Sequence, residues 1–180
     1  MSSVKRLLRL NINFNQIDFN ARNITVDTFP MGIDYDKFWN AAQNHDKLKN
    51  NQVSDLQKQL NLHIDSSPSN KLILSIDRLD YTKGIVNRIK AFEIFLETFP
   101  QYKEKVRLVM LAVPSRSDVP QYKILKRQTD EIVGRVNGKF STVNWTPIWY
   151  FYRSMSFNNL IDLYTSSDIA MITPCLLYTS

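Results

Sequence analysis

The spacing of hydrophobic positions changes several times along this chain, and each change marks an element. Lys71 to Ile76 is a short, nearly unbroken apolar run, the pattern of a strand buried on both faces. Ile85, Ile89, Phe92, Leu96 and Phe99 then recur at helical spacing, and Pro100 marks the stop. Val106 to Val113 predicts a second buried strand. Asp118 reads as a helix N-cap with Pro120 just inside, and Tyr122, Leu125, Thr129, Ile132, Val133 and Val136 continue one face, which Gly134 interrupts near its end. A shorter strand is predicted around Thr142 to Thr146. Ser156 then caps a helix through Leu160, Leu163 and Tyr164, and a last strand covers Asp168 to Ile172.

Strands alternating with helices imply a parallel sheet with helical crossovers. The expected fold class is therefore α/β with a Rossmann-like sheet, in which ligands bind beyond the carboxyl ends of the strands. Before Phe29 the pattern differs. Ile12, Phe14, Ile17 and Phe19 are interspersed with Asn and Asp, as in a short hairpin or an edge strand. Asn44 to Gln52 and Asp65 to Asn70 read as polar loops, the second a linker into the first sheet strand. No internal repeat or low-complexity tract interrupts the chain.

Composition narrows the classes. The 180 residues are 43% hydrophobic and 22% charged, ordinary for a globular protein and enough for one domain with a sizeable core. No stretch reaches the roughly 18 apolar residues of a membrane span. The basic segment Met1 to Arg9 lacks the apolar run of a secretory signal, and a single cysteine, Cys175, fits a reducing compartment. A net charge of +6 raises the question of nucleic acid, but the basic residues are scattered and no recognition module appears. The charge says only that anionic ligands are welcome.

The segment Ser75-Ile76-Asp77-Arg78-Leu79-Asp80-Tyr81-Thr82-Lys83-Gly84 falls where a parallel strand ends and a helix begins. Backbone N–H groups and the helix dipole favour an anion there. Arg78 and Lys83 set two cations across that turn, and Gly84 lets the backbone come close to a ligand. Arg binds phosphate oxygens in a bidentate way, while Lys acts as a mobile point charge, so the arrangement suits a diphosphate. Spacing alone equally allows Arg78 to pair with Asp77 or Asp80 on the surface, because the full glycine pattern of a P-loop is absent. The aromatic stretch Trp145, Trp149, Tyr150, Phe151 and Tyr152 reads as packing, and Lys123, Lys126 and Arg127 as a solvated helix face. His45 and His63 are isolated in the sequence, and no metal-ligand cluster is seen.

The string from Ile73 to Gly84 resembles the donor-site signature of the trehalose-6-phosphate synthase family. The similarity continues through Ala112-Val113-Pro114-Ser115-Arg116-Ser117-Asp118-Val119, Val133-Gly134-Arg135-Val136-Asn137-Gly138, Trp145-Thr146-Pro147-Ile148 and Tyr164-Thr165-Ser166-Ser167-Asp168. Upstream, Phe29-Pro30-Met31-Gly32-Ile33-Asp34 looks like the family's crossing segment into its C-terminal domain.

The resemblance implies a two-domain GT-B glycosyltransferase that moves glucose from UDP-glucose to glucose-6-phosphate with retention of configuration, in the cytoplasm, with no metal or other cofactor. It implies that Arg78 and Lys83 hold the donor diphosphate and act in catalysis, that Met155 contacts the uridine part mainly through its backbone, and that Arg116 contacts the acceptor phosphate. Implied partners are the two sugar substrates, with a trehalose-6-phosphate phosphatase or further synthase-complex subunits also allowed. Nucleic acid and membrane are not among them. The implied layout gives residues 1–29 to the end of the N-terminal domain and 30–174 to an incomplete nucleotide-sugar-binding domain.

The tail 175–180 reads like a translated sequencing adapter and is expected to be non-native. The family's Arg-Asp-Gly-Met-Asn-Leu loop is expected after Pro174 and is not in the chain. Neither is the family's N-terminal domain, so the chain alone is expected to be inactive. Ser117 stands where the family often has Gly, which bears on how Arg116 is held. Two other readings share the fold: a catalytically silent regulatory or binding paralogue, and a glucosyltransferase with another phosphorylated acceptor.

Overall fold

The structure, a computed structural model, describes residues 6–7, 11–28, 30–48 and 70–173. His63, most of the expected 65–70 linker and the 175–180 tail lie outside the described residues. The chain divides into two units, Met1–Tyr35 and Asp36–Ser180.

The first unit is a three-stranded antiparallel meander of β1 (Asn11–Asn13), β2 (Gln16–Phe19) and β3 (Arg22–Thr25). Between β2 and β3, Asn20 and Ala21 both take positive φ (49° and 59°), the turn whose twist suits a two-residue hairpin. Ile17 is buried. Of the two readings of this stretch the hairpin holds: Phe14 sits in the β1–β2 turn with φ 52° and is exposed, because the short meander pairs Asn13 directly with Gln16.

Helix α1 (Tyr35–Leu48) starts on the last residue of the first unit and otherwise belongs to the second, which continues as β4 (Lys71–Arg78), α2 (Ile85–Thr98), β5 (Val106–Val113), α3 (Pro120–Phe140), β6 (Ile148–Phe151), α4 (Phe157–Thr165) and β7 (Ile169–Ala170). The four strands form one parallel sheet in the order β6-β5-β4-β7. Successive strands run outward from β4 to β5 and β6, and the chain then returns to the opposite side of β4. This reversal is the switch point of a doubly wound sheet, the place where ligands of such sheets bind, beyond the carboxyl ends of the strands.

Side chains alternate across the sheet and build two cores. On one face Ile73, Leu108, Met110 and Ala112 meet Ile85, Ile89, Phe92 and Leu96 of α2 and Val133 and Val136 of α3. On the other, Leu72, Leu74, Val109 and Leu111 meet Leu163 of α4. The buried runs of β4 and β5 are mostly apolar because both faces are covered, the buried exceptions being Ser75 and Arg107, whose polar atoms are hydrogen-bonded. Glu93 of α2 takes both guanidinium nitrogens of Arg135 on α3 (2.5 and 2.7 Å), which fastens the two helices beside the core.

Several expected boundaries shift, among them the last strand, which is Ile169–Ala170 and not Asp168 to Ile172. The third sheet strand is Ile148–Phe151, after Pro147, and not Thr142 to Thr146. The Thr142 N–H closes a turn onto the Trp145 carbonyl, and the Thr146 carbonyl accepts from Arg107 Nε, so that stretch is already committed elsewhere. The cap of α3 is Val119, not Asp118: the Val119 N–H bonds the Arg116 carbonyl in a turn, which leaves Asp118 one residue early and exposed. Asn44 to Leu48, expected as loop, continues α1, whose Phe38 packs edge-to-face on Phe157 at 5.2 Å; His45 therefore has a helical backbone. The Ser156 cap stands as expected, its Oγ accepting from the Asn159 amide.

The edge strand β6 has an unusual neighbour. Asn137, in the last turns of α3, donates its amide to the Ile148 carbonyl and accepts from the Ile148 N–H, both at 3.0 Å. One side chain thus substitutes for the backbone of an adjacent strand.

Candidate functional site at the sheet switch point

The turn after β4 is built by short-range chemistry. Leu79 extends the β4–β5 pairing by one bond to the Val113 carbonyl (2.8 Å) and is itself fully buried. Asp80 then caps a single 3₁₀ turn, Tyr81–Lys83, accepting from the Thr82 amide and hydroxyl at 3.0 and 2.9 Å. Gly84 ends that turn and starts α2 with φ 63°, a left-handed conformation that side chains resist. Strand, tight turn and helix start therefore follow within a few residues. The free amides of the first turn of α2 lie at the carboxyl end of β4.

Arg78 is exposed and makes no ion pair among the described residues. The surface pairing that spacing alone allowed is absent because both carboxylates are engaged. Asp77 binds Arg88 Nη2 at 2.5 Å, and Asp80 is held by Thr82 and by the Tyr122 hydroxyl. Burial opposes ionisation of Asp80. The Thr82 and Tyr122 hydrogen bonds and the Arg78 charge outweigh it and hold the carboxyl below its ordinary range. Lys83 is partly exposed, its Nζ 3.9 Å from Asp77 Oδ1, a contact at the outer limit of an ion pair.

Arg116 lies beyond β5, with φ 47°. Its Nη1 donates to the Tyr122 hydroxyl at 3.2 Å, and its guanidinium stands 5.7 Å from the centre of that ring. Ser117 does not take positive φ; Arg116 itself does. A cleft of about 570 Å³ opens between Tyr81, Arg116 and the first turns of α3 at Val119, Gln121 and Leu125. Met155 follows β6 and packs, partly buried, on the core under α4. The structure thus links the turn carrying Arg78 and Lys83 to Arg116 through Asp80 and Tyr122. Met155 stands after a different strand, with no contact to these residues described.

Sequence reading missed Arg88 and Thr173. Arg88 interrupts the stripe of Ile85, Ile89 and Phe92 on the buried side of α2, and a charged residue on an apolar stripe was the available signal. Tyr122 was read only as a helix-face residue. Lys126, expected on a solvated face, pairs with Asp130 and lies 4.5 Å over the Tyr152 ring, since β6 and its following loop cover that side of α3. Among the described residues no group of three or more His, Cys, Asp or Glu is placed to hold a metal, and no helix is long and apolar enough to cross a membrane.

This arrangement defines the class: an α/β protein with the Rossmann-like sheet of GT-B glycosyltransferases and a cationic strand-to-helix turn at its switch point. The sequence profile of glycosyltransferase family 20 matches residues 1–176. A UDP-forming alpha,alpha-trehalose-phosphate synthase of Pichia angusta is 42% identical over 173 residues, covering 96% of this chain and 35% of the relative. A crystal structure of a UDP-forming synthase from Burkholderia xenovorans superposes with a TM-score of 0.83 at 31% identity, covering 97% of this chain and 37% of that one. A second structure from that organism, in complex with glucose-6-phosphate, gives 0.77 at 29% identity, with 89% and 33% covered. The chain belongs to glycosyltransferase family 20. It spans about a third of the length of the relatives it matches.

Proposed function

We propose that this chain is the donor-binding part of a trehalose-6-phosphate synthase, which transfers glucose from UDP-glucose to glucose-6-phosphate with retention of configuration. The observation that carries the reading is the pair Arg78 and Lys83 on the switch-point turn, both left without a close carboxylate partner, in a chain 42% identical to a UDP-forming synthase. In this reading the two cations hold the diphosphate. As the bond from glucose to the diphosphate breaks, negative charge grows on the leaving UDP, and cations already in position stabilise it more than they stabilise the bound donor. Removing one such donor of positive charge costs roughly 100- to 1000-fold in rate.

Arg116 takes the acceptor phosphate, and Met155 contacts the uridine through its backbone. No metal or other cofactor is assigned, because the two cations carry the leaving-group charge. Residues 30–174 form the nucleotide-sugar-binding domain, and the remaining parts of the active site belong to segments found in the longer relatives. The 180 residues by themselves are assigned no turnover. A cytoplasmic setting goes with this reading, since charged nucleotide sugars and sugar phosphates do not cross a bilayer unaided.

Titration calorimetry of the full 180-residue chain with UDP tests it. Arg78→Ala and Lys83→Ala are each expected to weaken UDP by at least about tenfold, the loss of one charge-assisted contact. Equal affinity in all three proteins overturns the diphosphate assignment.

A further inference from the structure

Arg88 is the largest fully buried side chain of the chain's described part, and each of its three guanidinium nitrogens donates a hydrogen bond to β4 or to the segment after β7. Its Nε donates to Thr173 Oγ1 at 2.8 Å, Nη1 to Ser75 Oγ at 2.7 Å and Nη2 to Asp77 Oδ2 at 2.5 Å. Thr173 in turn donates its hydroxyl to the Lys83 carbonyl at 2.5 Å. One guanidinium therefore joins α2, the end of β4 and the segment after β7, which meet at the switch point.

A charge buried this deeply is tolerated only when paired, and the pairing here has a second consequence. Asp77 faces two cations. One of its oxygens is bound tightly by Arg88, and the other stands 3.9 Å from Lys83 Nζ. Lys83 carries a mobile ammonium on a four-carbon stem, and a carboxylate without Arg88 would draw it into a close pair. From these distances we infer that Arg88 is a positioning residue that engages Asp77 and so keeps the Lys83 ammonium available to an anionic ligand. The inference rests on the reading above, in which Lys83 binds the donor diphosphate. It assigns to Arg88 a part in affinity without contact to the ligand.

The decisive measurement is UDP titration of the 180-residue chain as wild type, Arg88→Gln, Arg88→Gln with Asp77→Asn, and Lys83→Ala, with folding followed by circular dichroism. Arg88→Gln is expected to bind UDP about tenfold more weakly, and adding Asp77→Asn is expected to restore affinity to within about threefold of wild type. A purely structural Arg88 gives the opposite order, with the double variant no better than the single one, and that result overturns the inference. Arg88→Lys serves where Arg88→Gln does not fold. It keeps a cation for Asp77 and is expected to bind within about threefold of wild type. A folded Arg88→Lys that loses tenfold, unrelieved by Asp77→Asn, also overturns it. If Arg88→Gln binds UDP as wild type does while Lys83→Ala does not, the inference alone fails. If Lys83→Ala binds as wild type does, the diphosphate reading fails and takes the inference with it.

Discussion

The hydroxyl of Tyr122 donates to Asp80 Oδ2 at 3.2 Å, joining the first turn of α3 to the capping residue of the turn after β4. Tyr122 is buried, and its ring also meets Tyr81 edge-to-face at 6.0 Å. Tyr122→Phe keeps the ring and its packing and removes only the hydroxyl, leaving Asp80 and Arg116 each short of a partner. Hydrogen bonds to charged groups are worth about 1.5 to 3 kcal/mol, so urea unfolding is expected to show a loss of about that size. An unchanged midpoint would mean that water replaces the hydroxyl at no cost.

Acid is expected to weaken the fold through Asp80 and Asp168. Burial opposes ionisation of Asp168, but the Lys71 ammonium and the Leu72 amide, both at 2.8 Å, hold its carboxyl below the ordinary range. Each group releases its proton more readily in the folded chain than in the unfolded one. Their stabilisation is therefore complete above the unfolded carboxylate value near about 4, and it is lost as pH falls through the lower folded values. Melting curves between neutral pH and pH about 3 are expected to show a falling midpoint below about pH 4, with a shallower fall in Asp168→Asn. Parallel curves for the two proteins would remove Asp168 from this account.

Asn137→Ala is expected to strip the Ile148 N–H and carbonyl of their partners at once. Unsatisfied buried backbone groups cost about 1 to 3 kcal/mol each, and in a chain of this size each kcal/mol lowers the melting midpoint by roughly 2 to 4 °C. Asn137→Asp keeps an acceptor for the N–H and loses the donor, so its midpoint is expected to fall between those of wild type and Asn137→Ala. Calorimetric melts of the three proteins decide the order.

Gly84→Ala tests whether backbone conformation or space governs the start of α2. A β-carbon at Gly84 would meet Thr173 Oγ1 at 3.4 Å, an ordinary contact, so the cost comes from φ 63°. About 1 to 2 kcal/mol is expected for alanine in the left-handed region, and less for Gly84→Asn, because asparagine tolerates that region. Alanine and asparagine variants of equal stability would point to crowding instead.

Much of the sheet was legible in the sequence because β4 and β5 are covered on both faces and are mostly apolar, Ser75 and Arg107 being the buried exceptions. Residues 106–113 were read as a strand to the residue, and β4 runs only two residues beyond the predicted Ile76. The strand after Pro147 escaped because its pattern is aromatic and only half-buried, while the preceding residues alternate like a strand yet spend their backbone groups on a turn and on Arg107. At the site, Arg78, Lys83 and Gly84 were visible together because they are close in sequence. Arg88, Tyr122 and Thr173 were not, because their partners lie up to 90 residues away and only folding brings them together.

The positive φ of Arg116 carries a consequence for anyone who evolves this protein in the laboratory. A long side chain held in the left-handed region is strained, typically by about 1 to 3 kcal/mol, and glycine at the same position would relieve that strain. A selection for heat resistance alone would therefore drift toward glycine at 116 and discard the guanidinium. On the role proposed for Arg116, a selection that also demands sugar-phosphate recognition would hold arginine there against its own backbone preference.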